Sequence, residues 1–353
     1  MASQRRMPAA VLNEPGDLSI EEVPVPEPES GEVLVRIRAC GVCGTDLKMR
    51  DHGWPGAEYP VVLGHEWTGE VVALGPNTHK FEVGDRVADE THDACGFCKN
   101  CKVGRYTACL NYGDESMGHK HHGFTVDGGY TRYCAIGERN LHHLPDELSF
   151  REGTLITTAG CSQYAVEKAD VQAGDFVVVI GPGAIGLTAV QCANFRGASE
   201  VVMTGTREDR LEVAREVGAD HTVDVTEEDP VERVMELTDG QGADVVIETA
   251  ARHDTIAEAV EMTAPAGNVA LLGNPGEGTS PIPTSKLVAD DIDLHGVKAQ
   301  GTNSAHRVTQ LLAKRDFRTN PILTHEFEFE DFFEAIDTFE NRHDGAIKVV
   351  VRF

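Results

Sequence analysis

The rhythm of hydrophobic and polar positions changes near residue 160. Before it, short β-like apolar runs at residues 32–38, 68–74 and 129–136 are separated by Gly and Pro, the texture of an irregular, mostly β domain. After it, strand and helix periods alternate. Residues 176–180 form a compact apolar run, 185–196 carry a helical period, 200–204 read as a second strand and 209–217 as a second helix, and 244–248 and 268–272 continue the series. Strands alternating with helices predict an α/β fold with a doubly wound parallel sheet. Past residue 296 a helix-like stretch at 305–314 and a terminal strand at 346–353 add no further unit of this kind, so the chain is expected to return to its first domain. The domains predicted are residues 1–157 with 297–353, mostly β, and residues 158–296, α/β.

Composition narrows the classes. The 353 residues include 41% hydrophobic ones, enough for two cores. Residues 1–6 are polar and basic with no apolar stretch after them, and no run approaches membrane-spanning length, which predicts a cytoplasmic protein with no membrane partner. With 31 Lys plus Arg against 58 Asp plus Glu, the net charge of −27 argues against nucleic acid, whose phosphates require a basic surface. Such self-repulsion is tolerable where salt screens it, and at molar salt the Debye length is about 3 Å. A halophilic protein is expected; the plain alternative is an acidic mesophilic one.

Four cysteines, Cys95, Cys98, Cys101 and Cys109, share the spacing C-x2-C-x2-C-x7-C. One loop can thereby place a thiolate at each corner of a tetrahedral zinc. Disulfides and an iron–sulfur centre are the alternatives, the first disfavoured by an odd total of nine cysteines. At the start of the α/β region, G-x-G-x-x-G (Gly181, Gly183, Gly186, with Ala184 and Ile185 between) lies between the first strand and the first helix, where it can cradle a dinucleotide pyrophosphate. The second strand ends in Gly205, Thr206 and Arg207 rather than in the acid that holds an NAD ribose. NADP(H) is therefore expected over NAD(H), with Arg207 on the 2′-phosphate. The alternative reading of Arg207 is a solvated charge at a helix start, since Glu208 and Asp209 follow. Cys43, His65 and Glu66 offer a thiolate, an imidazole and a carboxylate, the donor set of an open, catalytic zinc.

Together the stretches 43–46, 64–66, 95–109, 126–130 and 181–186 resemble the zinc-containing medium-chain alcohol/polyol dehydrogenases, those of the sorbitol and threonine dehydrogenase type above all. That resemblance implies a GroES-like catalytic domain carrying a zinc lobe at about 93–112, a Rossmann coenzyme domain, and a homodimer or homotetramer. It implies a catalytic zinc on Cys43, His65 and Glu66, a structural zinc on the four-cysteine cluster, a proton-passing hydroxyl at Thr45 and an orienting carboxylate at Asp46. The reaction implied is reversible hydride transfer between nicotinamide and a secondary alcohol, polyol or sugar. Rival readings are a zinc-independent quinone or enone reductase and a non-catalytic NADP-binding protein. Where relatives carry a further zinc ligand this chain has Thr157 and Thr158, with Cys161 one turn on, and Lys48 stands where many have a relay histidine. Lys348 resembles a coenzyme-phosphate contact. The mixed spacing of His119, His121 and His122, and of His142 and His143, predicts surface or subunit-contact positions.

Overall fold

The computed structural model describes residues 5–301, 303–314 and 316–353. They divide into two compact units. One comprises the chain up to Thr157, the stretch 309–315 and the end from Leu323; the other comprises residues 158–308 and 316–322. Residues 297–308 thus lie with the second unit, and the chain crosses back later than its sequence suggests.

In chain order the first unit contains strands β1 (Arg6–Glu14), β2 (Asp17–Pro24), β3 (Glu32–Gly41), β4 (Val61–Val62), β5 (Trp67–Leu74), β6 (Arg86–Asp89), β7 (His92–Asp93), β8 (Lys120–His121), β9 (Tyr133–Gly137) and β10 (Leu141–His143). The second unit contributes β11 (Phe176–Ile180), β12 (Glu200–Gly205), β13 (His221–Asp224), β14 (Ala243–Glu248), β15 (Thr263–Leu271) and β16 (Asp293–Gly296). Strands β17 (Leu323–Glu328) and β18 (Lys348–Arg352) complete the first unit.

Strand β3 is the hub of the first unit. Val33, Val35 and Ile37 alternate inward and are fully buried, while Glu32, Leu34 and Arg36 face the other way, the period of two that a half-buried strand requires. It pairs antiparallel with β5, β9 and β18, in a sheet ordered β10-β6-β5-β3-β18-β17 with β9 against β3. Trp67, Tyr130, Met49 and Phe332 fill the core beside it.

In the second unit β11 reads Phe-Val-Val-Val-Ile, apolar on both faces because helices cover both. The all-parallel order is β13-β12-β11-β14-β15-β16. The chain starts in the middle, winds outward to β13, then returns to the far side of β11. This reversal between β11 and β14 is the switch point at which doubly wound sheets bind nucleotides.

Of the 58 acidic residues only Asp46, Glu66, Asp89, Asp93 and Glu248 are buried. The rest of the negative charge is at the surface, wholly or in part. Among the described residues no helix is long and apolar enough to cross a membrane.

Candidate active site

Cys43 adopts an extended backbone and caps the helix Gly44–His52, while His65 and Glu66 occupy the short link between β4 and β5. The fold brings one donor atom from each of Cys43, His65 and Glu66 within 4.8 Å of the others. Asp46 organises this group. Its Oδ2 accepts the Cys43 backbone N–H at 3.0 Å and the Tyr130 hydroxyl at 2.8 Å, and its Oδ1 stands 3.1 Å from His65 Nδ1. One carboxylate thereby fixes the backbone of the first donor and the ring of the second, which leaves the other imidazole nitrogen for the shared space. Burial alone would lower the His65 pKa, but Asp46 and the Cys43 sulfur outweigh it and raise the value well above the ordinary one. A field that favours a proton so strongly also favours a divalent cation, so the residues present fit a zinc ion. The Thr45 hydroxyl lies 3.7 Å from Cys43 Sγ, and Lys48, further along the same helix, is exposed.

Glu66 has a second role. Its Oε2 receives the Lys348 ammonium at 2.6 Å, and that ammonium also donates to the Val42 carbonyl at 3.2 Å. Lys348 is only 3% exposed, so the structure places it beneath the donor group instead of at a coenzyme phosphate. Gly41 makes room for this pair, since a Cβ there would stand 2.6 Å from Glu66 Oε2.

Two of the motifs hold each other. Gly128 N–H, Gly129 N–H and Tyr130 N–H donate to the carbonyls of Val62, Gly64 and Leu63 at 2.8, 2.8 and 2.9 Å. A Cβ on Gly128 would lie 2.1 Å from the Gly64 carbonyl oxygen, and one on Gly129 would lie 2.3 Å from the Trp67 ring. Only glycine permits this approach, and the approach delivers the Tyr130 hydroxyl to Asp46. Sequence reasoning assigns Tyr130 no role; its one signal is its place directly after two glycines.

The sulfurs of Cys95, Cys98, Cys101 and Cys109 also fall within 4.8 Å of one another. The Cys98–Cys101 and Cys95–Cys101 separations are 3.4 and 3.9 Å. These bracket the edge of about 3.8 Å that a tetrahedron with 2.3 Å zinc–sulfur bonds has, and far exceed a disulfide bond. No described cysteine is in a disulfide. Backbone N–H groups of Leu110 and Cys101 lower Cys98 to about 6, whereas burial and the thiol neighbours raise Cys101 to about 12. Four thiolates so close need a cation between them, which this donor set suits.

In the second unit Gly181 takes the left-handed turn (φ 102°) directly after β11, and Gly183 caps the helix Ala184–Arg196. A Cβ on Gly183 would meet nothing within 4 Å, so the helix N-terminus with Ala184 and Ile185 is bare to a phosphate. At Gly186 a Cβ would stand 2.0 Å from the Gly181 carbonyl oxygen, the close helix–strand packing that the third glycine allows. Gly205 ends β12, followed by exposed Thr206 and half-buried Arg207. A Cβ at Gly205 would collide with Pro182 Cγ at 2.6 Å, so the glycine serves the packing of the phosphate turn as well as removing the acid.

The histidines differ most from expectation. His119, His121 and His122 are 0%, 4% and 3% exposed, not at the surface. The loop carrying them folds inward on several kinds of contact: His121 stacks 3.7 Å from Phe124 and 3.8 Å from His92 between centroids, His119 lies tilted 4.7 Å from Tyr112, and His122 Nδ1 faces the Asp127 carbonyl at 3.2 Å. Mixed spacing made them look like loop residues, and no period in sequence reports ring stacking. His142 pairs with Glu90 at 2.7 Å, and His143 is exposed.

Comparison with known proteins agrees with both units. The family model for the alcohol dehydrogenase GroES-like domain matches residues 29–146, and that for zinc-binding dehydrogenases matches residues 184–314. A sorbitol dehydrogenase of Bacillus subtilis is 31% identical over 98% of this chain and 97% of its own length. An L-threonine 3-dehydrogenase of Pyrococcus horikoshii is 31% identical over 98% of this chain and 99% of its own. A solved zinc-binding dehydrogenase of Sinorhizobium meliloti, bound to NADP, superimposes with a TM-score of 0.91 at 28% identity, covering 99% of this chain and 100% of that one. Two matching domain models, full-length relatives and donor sets suited to zinc and a nicotinamide dinucleotide leave one conclusion: the chain belongs to the zinc-containing medium-chain alcohol/polyol dehydrogenases and is an oxidoreductase of alcohols.

Proposed function

We propose that this dehydrogenase interconverts a secondary alcohol, polyol or sugar with its carbonyl compound and prefers NADP(H) to NAD(H). The observation that carries the reading is the Cys43, His65 and Glu66 group organised by Asp46. Cys43, His65 and Glu66 would hold a zinc ion, which would supply Lewis acidity for a substrate oxygen, and the coenzyme would supply the hydride acceptor or donor. The chain's own residues do the rest. Asp46 keeps His65 in the orientation that binds metal. Thr45, beside Cys43, takes the hydroxyl proton of the substrate and passes it outward. The turn from Gly181 to Gly186 holds the pyrophosphate, Arg207 pairs with the 2′-phosphate, and Gly205 and Thr206 present no carboxylate to repel it.

The four-cysteine cluster is read as a structural zinc that pins its loop. The surface distribution of acids supports a salt-adapted protein, and membership of this family supports a dimer or tetramer working in the cytoplasm. Undiminished folding and activity without salt would remove the salt adaptation, and sedimentation as a monomer would remove the oligomer.

A panel of alcohols assayed by NADPH absorbance in molar KCl, with zinc counted on the same sample, tests the reading. Turnover of a secondary alcohol or polyol with kcat/KM higher for NADP than for NAD is expected. Preference for NAD overturns the coenzyme assignment, and no turnover across the panel overturns the reaction.

A further inference from the structure

Three strand ends meet at the switch point of the parallel sheet, and one buried carboxyl group joins them. Glu248 closes β14 and is fully buried. Its Oε1 accepts the Ala251 N–H at 3.0 Å and the Thr255 hydroxyl at 2.9 Å. Its backbone carbonyl accepts the N–H groups of Leu272 and Gly273, just past β15, at 3.0 and 3.1 Å. A Cβ on Gly273 would stand 2.5 Å from Glu248 Oε2 and 2.5 Å from the Ala251 nitrogen, so the loops after β14 and β15 meet only because that position is glycine. Ala251 itself is left-handed (φ 59°), a conformation in which an alanine Cβ crowds the following carbonyl oxygen. The bond to Glu248 is made at this strained residue, just before the chain enters the helix His253–Glu261.

The residues between Glu248 and Ala251 bear on the phosphate turn. Thr249 N–H donates to the Ile180 carbonyl at 2.9 Å. Its hydroxyl, with one proton to give, faces the carbonyls of Ile180 at 2.7 Å and Gly181 at 3.0 Å. A Cβ on Gly181 would lie 3.0 Å from Ala250 Cα, and one on Gly186 would lie 2.9 Å from Thr249 Oγ1. We infer that Glu248 is a positioning residue for the coenzyme: by holding the left-handed backbone at Ala251 it seats Thr249 and Ala250 against the turn from Gly181 to Gly186 and so sets the shape that receives the pyrophosphate. Its effect runs through the Ala251 N–H and the Thr249 hydroxyl, neither of which concerns the 2′-phosphate, so it acts on NADP(H) and NAD(H) alike, unlike Arg207. This inference rests on the reading of that turn as a dinucleotide site.

Fluorescence titration gives the Kd of NADPH and of NADH for wild type, Glu248→Met, Glu248→Gln, Thr249→Val, and Glu248→Met combined with Ala251→Gly. Glu248→Met should raise both constants by the same factor, about fivefold, the worth of one hydrogen bond. Glu248→Gln should stay near wild type, because its amide oxygen can still accept from Ala251. Adding Ala251→Gly to Glu248→Met should recover part of the loss, since glycine takes the left-handed turn unaided. Thr249→Val cuts the second link without touching the buried carboxyl group and should also raise both constants, which keeps the test decisive if Glu248→Met does not fold. Kd is read on folded molecules, so a merely structural role would lower the number of sites and leave Kd unchanged. That result in Glu248→Met, or in Thr249→Val, overturns the inference. Weakening confined to NADPH, or no recovery with Ala251→Gly, overturns it as well. A wild type that binds neither coenzyme overturns the dinucleotide reading and this inference together, whereas binding in wild type with unmoved variants overturns this inference alone.

Discussion

The Lys348 ammonium lies 2.6 Å from the Glu66 carboxylate, with both side chains 4% exposed, directly beside the donor atoms of Cys43 and His65. Glu66 therefore answers to two cations, one built into β18 and one that the donor group is suited to receive. Burial lowers the lysine's pKa and the negative charges of Glu66 and Cys43 more than restore it, so the ammonium stays charged. A pair of this kind is costly to break one-sidedly, because the survivor is left charged and dry.

Lys348→Met should accordingly destabilise the protein by roughly 3–5 kcal/mol in urea unfolding. Adding Glu66→Met should recover part of that loss, since no carboxylate is then stranded. A double variant less stable than Lys348→Met would contradict the pairing.

Asp46 orders two donors at once, so Asp46→Asn should weaken zinc at Cys43 and His65 by about 10- to 100-fold, as loss of an orienting carboxylate does elsewhere. Tyr130→Phe should cost less, because Asp46 keeps its contacts with Cys43 N–H and His65. Competition with a chelator of known affinity measures both. Equal affinity in wild type and Asp46→Asn would show that the His65 contact is incidental.

Arg207→Ala should lower kcat/KM for NADP by about 10- to 100-fold, the worth of charge-assisted hydrogen bonds to a phosphate, and leave NAD unchanged. Gly205→Asp is a poorer probe, since its Cβ would strike Pro182 and disturb the pyrophosphate turn for both coenzymes. Parallel losses for NADP and NAD in Arg207→Ala would place that guanidinium elsewhere.

His122 couples stability to acid. Burial lowers its pKa to about 4, against an ordinary value of about 6.5, while Nδ1 faces the Asp127 carbonyl at 3.2 Å. Because the folded value is the lower one, the unfolded chain takes up the proton first. The contribution is complete above about pH 6.5, is lost as pH falls towards 4, and does not decline further below 4, about 3 kcal/mol in all. Urea unfolding at pH 7 and pH 5 in constant high salt should show a shallower loss in His122→Gln than in wild type. Identical slopes would exclude His122 as the source.

Much of this was legible in the chain. Phe176–Ile180 matches its strand end to end, because an unbroken apolar run between turn residues suits a strand covered on both faces. The donor groups were legible too, because a metal needs particular atom types at short spacing. What stayed hidden depends on contacts across sequence distance. Lys348 and Glu66 are 282 residues apart, and neither spacing nor period links them. His121 looked like a loop residue until Phe124, His92 and Tyr112 were placed around it. The sequence predicts the return at 297, where the alternating strand–helix units stop; the contacts place it inside the helix Ser304–Leu312, a crossing that no local pattern marks.

The central claim is that an open zinc site at Cys43, His65 and Glu66 performs the chemistry and a closed one at the cysteine cluster does not. Counting zinc per chain in wild type and Cys43→Ala, with turnover and NADPH binding measured on the same samples, tests it most directly. The account predicts two zinc ions in wild type, one in Cys43→Ala, loss of turnover, and NADPH bound as before. One zinc in wild type, or turnover undiminished in Cys43→Ala, would contradict it.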